Sequence, residues 1–152
     1  MPIITIETQI DVPVEVCFDM AWDIELHCLT AARTKERAVG GITVGLIGLG
    51  DSVTFEAVHF GLRQRLSATV VKFERPKYFV DEMTRGAFQS MRHTHEFIPT
   101  ASGTRMADTL EWKSPLGILG VIADKLFLQR YMVTFLTERN QNLKAFAERS
   151  PG

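Results

Sequence analysis

The stretch that decides the fold is "FQSMRHTHEFIPTASGTRMADTLEWK", Phe88–Lys113. Two runs of alternating polarity flank "TASG", Thr100–Gly103, a cluster of small turn residues. Side chains two apart on a strand share a face. Met91, His93, His95 and Phe97 therefore point one way, and Ser90, Arg92, Thr94 and Glu96 form the wetter face. The second run sorts in the same manner, with Met106, Asp108, Leu110 and Trp112 against Arg105, Thr109, Glu111 and Lys113. With "TASG" as a four-residue hairpin loop, Phe97 pairs with Met106, His95 with Asp108 and His93 with Leu110. An inward aspartate then stands opposite an inward histidine, a physical match because a buried charge needs a partner.

Upstream, "YFVDEMTR" (78–85) continues the pattern. A two-residue turn at Gly86-Ala87 sets Tyr78, Val80 and Glu82 inward, near His95, His93 and Met91. A turn at Gly61-Leu62 joins "SVTFEAVHF" to "RQRLSATVVKFE" and places His59 inward beside Val53, Phe55, Ala57, Leu66, Ala68 and Val70. A register slip of one residue would invert each of these assignments. The resulting interior is an apolar wall dotted with His59, Tyr78, Glu82, His93, His95 and Asp108.

Farther out, "IITIETQIDV" alternates as a strand with Ile4, Ile6, Ile10 and Val12 on one face. "DVPVEVCFDMAWDIELHCLTA" changes to helical spacing at Val16, Met20 and Ile24, with Asp11 as a cap, Pro13 in the first turn and a break near Trp22. After "SPLG" the period is helical to Ala147, with Leu128, Met132, Phe135, Leu143 and Phe146 as its apolar stripe, interrupted by Arg139. Strands are expected near 3–11, 34–40, 51–60, 63–75, 78–85, 88–99 and 103–113, and a helix from about 118 to 147. The order is strand, two short helices, about six strands and one long helix, an α+β arrangement. No linker-like tract or internal repeat divides residues 1–152, so a single domain is expected.

The totals narrow the function classes. Hydrophobic content of 45% and charged content of 23% suit a soluble globular chain. A net charge of −1 argues against nucleic acid or an anionic membrane as the main partner. The apolar run from 116 to 136 contains Asp124, Lys125 and Arg130, which favours a packed helix over a membrane span. The start "MPIITIETQI" lacks the basic region and apolar core of an export signal. Cys17 and Cys28 are therefore read as reduced residues of a cytoplasmic protein.

Three sharper readings compete with blander ones. "GLIGLGD" (45–51) invites a phosphate loop, but its glycines run into a strand rather than opening a helix, which favours a plain flexible loop. Two histidines and a carboxylate are ligand types for zinc or iron, but nothing in the sequence makes them converge; polar groups in a pocket, with no metal and no cofactor, are expected instead. A serine or cysteine nucleophile lacks both a GxSxG stretch and a positioned base.

The element order resembles the helix-grip fold of the START/polyketide-cyclase/pollen-allergen-like (SRPBCC) superfamily. Locally, "GDSVTFEAVHFG", "YFVDEMTRGAF", "HTHEF", "DTLEWKSPLGILG" and "LTERNQNL" look like a bacterial ligand-binding subgroup of it. The resemblance covers essentially the whole chain. It implies a curved seven-stranded antiparallel sheet wrapped around the long C-terminal helix, with a cavity between them and the "GITVGLIGLGD" loop at its mouth. Phe55, Met91, Phe97, Met106, Leu110 and Trp112 would give that cavity apolar walls, and His59, Tyr78, Glu82, His93, His95 and Asp108 its polar groups. The expected function is binding of a small hydrophobic or amphipathic molecule. The alternative is a cofactor-independent cyclase/dehydratase with His95 as general acid-base and Asp108 fixing its tautomer. The balance leans toward binding. A homodimer is left open.

Overall fold

The computed structural model describes residues 2–31, 34–115, 117–123 and 127–149. Seven strands, β1 (Ile3–Ile10), β2 (Arg37–Gly41), β3 (Ser52–His59), β4 (Leu62–Glu74), β5 (Tyr78–Arg85), β6 (Ser90–Pro99) and β7 (Thr104–Lys113), form one sheet. Their order is β1-β7-β6-β5-β4-β3-β2 and every neighbouring pair is antiparallel. The helices are α1 (Val14–Ala21), α2 (Ile24–Thr30), α3 (Ile118–Ala123) and α4 (Gln129–Arg149). This is the helix-grip arrangement, and the strand boundaries agree with the alternation in the sequence. The long helix expected over about 118–147 is seen as α3 and α4; residues 124–126, with Asp124 and Lys125, lie outside the described residues.

The hairpin from β6 to β7 closes as its turn chemistry requires. Thr100 and Gly103 exchange a backbone bond and a hydroxyl bond across the loop. Phe97 then faces Met106, His95 faces Asp108 and His93 faces Leu110. The β3–β4 turn falls at Phe60-Gly61 rather than Gly61-Leu62, with both residues at positive φ (54° and 74°). Positive φ at both central positions is the primed turn whose twist suits a two-residue hairpin. The pairing moves by two residues, an even shift, so His59, Phe55 and Leu66 keep the inward face expected of them.

The β5–β6 connection is different. Phe79 faces His95 and Asp81 faces His93, one residue out from a two-residue turn at Gly86-Ala87. An odd shift inverts the strand. Phe79 and Asp81 therefore occupy the inner face, and Tyr78 and Glu82 the outer one, where Glu82 meets Arg92 at 3.2 Å.

The sheet's inner face is covered by α1 and α4. Phe18 of α1 sits at the centre of an aromatic group, with ring centroids 5.0–5.7 Å from Trp22, Phe73, Phe79 and Phe97. At the other end Leu136 of α4 packs with Ile4, Leu110 and Trp112. The seam of α4 is Leu136, Asn140, Leu143 and Ala147, spaced by four, three and four. It differs from the apolar stripe read in the sequence: Phe146 is exposed, and the fully buried member between Leu136 and Leu143 is polar. Size misled the pattern here, because a small alanine and a bonded asparagine take the closest positions. Asp11 also does not cap α1, whose first residue follows Pro13 without a side-chain bond. Asp23 does cap α2, accepting from the Leu26 amide at 3.1 Å.

Candidate functional site

Between the sheet, α2 and α4 lies a cavity of about 210 Å³. Strand parity assembles its walls: Val53, Phe55, Ala57 and His59 of β3, Leu66, Ala68 and Val70 of β4, Phe79 and Asp81 of β5, and Met91, His93 and His95 of β6 all line it. Leu110 lines it from β7, and Met132, Phe135 and Leu136 from α4. Ile47, from the glycine-rich loop, also lines it, so that loop is a folded part of the wall.

Of the residues expected at the site, Phe55, His59, Met91, His93, His95 and Leu110 reach this cavity. Met106 and Asp108 lie below it, beside a smaller void next to Asn140. Phe97 and Trp112 are packed into the core without lining the cavity. Tyr78 and Glu82 must be withdrawn from the inner row, because the β5 register turns them outward.

The polar end of the cavity is a chain of buried groups. Asp108 accepts from His93 Nε2 at 2.8 Å and lies 3.1 Å from His95 Nδ1, both at its Oδ1. Its Oδ2 accepts from the Asn140 amide at 2.7 Å, and the Arg139 guanidinium stands 3.7 Å from Oδ1. His95 Nε2 points the other way, 2.9 Å from Asp81 Oδ2. The two imidazoles stack at 3.7 Å, and Phe79 stacks on His95 at 4.1 Å. His95 is thus held between two carboxylates, as an imidazolium donating both ring protons would be.

The electrostatics follow from this geometry. Burial alone would raise Asp108, yet the His93 and His95 bonds hold its carboxyl well below the ordinary 3.8. Burial alone would lower His95, but Asp108 and Asp81 raise it above 6.5. For His93, burial and the neighbouring His95 charge win over Asp108 and push it down to about 4. Stability should therefore peak near the ordinary histidine value of 6.5. Below it, the unfolded chain takes up a proton that folded His93 refuses, so stability falls toward about pH 4. Above it, the contribution of His95 is lost as pH rises through its raised value. Denaturant unfolding followed from pH 4 to 9 measures both limbs, and His93→Gln should flatten the acid one. A profile without a maximum would contradict the assignment.

A second polar group escaped the sequence pattern. Glu36 and His27 pair at 3.0 Å where α2 meets the sheet, and both line the cavity with Arg139. Burial would raise Glu36, but His27, Arg139 and His59 together hold it below its ordinary value. His59 Nδ1 is hydrogen-bonded to the Tyr131 hydroxyl at the same end. Only a helical histidine with a glutamate nine residues on hinted at this contact. Among the described residues no buried side-chain nitrogen or oxygen lacks a partner.

Fold and site together define a cavity-bearing protein of the helix-grip architecture. Among solved structures, the chain is similar to a protein of Thermus thermophilus at 21% identity and TM-score 0.79, covering 98% of this chain and 100% of that one. It is also similar to major latex-like protein 151 of Panax ginseng (10% identity, TM-score 0.68, 96% and 97% covered). Ara h 8.0201 is a third (9% identity, TM-score 0.67, 98% and 99% covered). No protein-family model and no curated protein matches the sequence. No described helix is long and apolar enough to cross a membrane.

Proposed function

We propose that the protein binds a small, mostly apolar molecule in the cavity between sheet and α4. The observation that carries this reading is the cavity itself, about 210 Å³ of space walled largely by aliphatic and aromatic side chains. Interiors normally close such space, and a retained void with a few convergent polar groups is how small-molecule sites are built. His93 and Asp81 would meet a polar group at one end, and His59 with Tyr131 at another. The ligand is accordingly an amphipathic compound rather than a plain hydrocarbon. With two unpaired cysteines, Cys17 buried and pushed up to about 12 by that burial, the chain suits a reducing cytoplasm.

Native mass spectrometry of the purified protein tests for a retained molecule. Filling the void gives a second test. Ala68 is buried and lines the cavity. Ala68→Phe should weaken binding of an apolar fluorescent probe by about tenfold or more, a loss of roughly 1.4 kcal/mol. Overpacking of this kind costs about 1–3 kcal/mol of stability, so the variant should still fold. Unchanged probe affinity in a folded Ala68→Phe would remove the cavity from consideration.

The clamped His95 favours a second reading, a cyclase/dehydratase in which the Asp81–His95–Asp108 chain moves a proton to and from a cavity-bound substrate. Recovery of the retained molecule chemically unchanged after incubation would argue for binding alone.

A further inference from the structure

His93 and His95 stand on β6, and Asp81 faces them across the β5–β6 ladder. One donor atom from each of the three lies within 4.8 Å of the other two. Beneath them, Asp108 takes Nε2 of His93 at 2.8 Å and Nδ1 of His95 at 3.1 Å, while Asn140 holds the other oxygen of Asp108 at 2.7 Å. We propose that Asp81, His93 and His95 form a binding site for a divalent first-row transition-metal ion, open toward the cavity.

Two imidazoles and one carboxylate are the donor set of zinc and non-haem iron sites that keep a free position. A metal-ligating histidine characteristically gives its other ring proton to a carboxylate, which fixes tautomer and orientation. Here one buried carboxylate does this for both rings, leaving Nδ1 of His93 and Nε2 of His95 for the ion. Donors around a tetrahedral ion at about 2.0–2.1 Å sit on the order of 3.3 Å apart. The cluster must therefore close by roughly 1.5 Å or less, and the Asp81 side chain, partly exposed, has room to move. Asp81 and Asp108 together carry the charge that balances a dication once His95 gives up its proton. Sequence spacing alone gave no reason for these ligands to converge. The β5 register supplies it by bringing Asp81 to the histidines.

The inference does not rest on the cavity's organic ligand, because ion binding is read directly. Chelator-stripped protein would be titrated with Zn²⁺ by calorimetry and with Co²⁺ by visible absorption. One ion per chain is expected, with affinity falling as pH drops because protons compete for the imidazole and carboxylate ligands. Asp81→Asn and His95→Gln should each weaken Zn²⁺ binding at least about tenfold. Asp81→Asn keeps the side-chain shape at a partly exposed position and serves even where His95→Gln fails to fold. Cys28→Ser should bind like the parent, which separates the site from an adventitious thiol complex. No stoichiometric ion in the parent, full affinity in Asp81→Asn, or loss in Cys28→Ser would each overturn the site. Probe binding measured on the same samples keeps the two readings apart: a parent that binds Zn²⁺ but no apolar probe refutes only the cavity function.

Discussion

Asp108→Ala should melt roughly 10–15 °C below the parent, the equivalent of about 3–5 kcal/mol in a chain of this size. Asp108 is fully buried and is the common acceptor for His93, His95 and Asn140, with Arg139 nearby. Removing it orphans two histidine donors on β6 and an amide donor on α4 at once, all of them buried. The raised His95 would also lose one of the two carboxylates that keep it charged. Asp108→Asn preserves the shape and one acceptor oxygen, so its loss should be smaller. Thermal and denaturant unfolding of both variants decide the matter. Equal stability of Asp108→Ala and the parent would show that the network contributes nothing.

Phe18→Ala should cost a comparable amount, about 3–5 kcal/mol, by a different physical route, the usual loss for deleting a buried ring. Phe18 has no exposed surface and touches four aromatic rings, Trp22 beyond the end of α1 and Phe73, Phe79 and Phe97 of β4, β5 and β6. Its removal leaves a cavity between rigid partners that cannot collapse easily, and the edge-to-face contacts vanish with it. Unlike Asp108→Ala, this loss should be independent of pH between 4 and 9, since no titrating group is orphaned. Denaturant midpoints at the two extremes separate the mechanisms. A Phe18→Ala stability within about 0.5 kcal/mol of the parent would mean that α1 is not anchored by this ring.

Most of this architecture could be read from alternation. The β6–β7 pairing, with Asp108 opposite His95, followed from parity and from taking "TASG" as a four-residue loop, which is the loop the structure has. What failed was β5. "YFVDEMTR" carries apolar residues at both parities (Tyr78 and Val80 in one row, Phe79 and Met83 in the other), so hydrophobicity could not choose a face. The choice fell to the loop, whose length was assumed one residue short. Asn140 and Arg139 were missed for another reason: on α4 they look like ordinary polar positions, and their value comes from Asp108, far away in sequence. Glu36 is similar, legible only once α2 has been laid against β2.

The β5–β6 connection makes the pocket's chemistry a matter of chain length. A substitution at Asp81 alters one wall group and leaves the rest. Deleting a single residue between Gly86 and Gln89 would instead exchange the whole row, withdrawing Phe79 and Asp81 and presenting Tyr78, Val80 and Glu82. Natural variation in such a protein can therefore move between pockets in one genetic step, without any substitution on β5. Relatives sorted by the length of this loop, rather than by overall identity, should fall into groups that prefer chemically different guests.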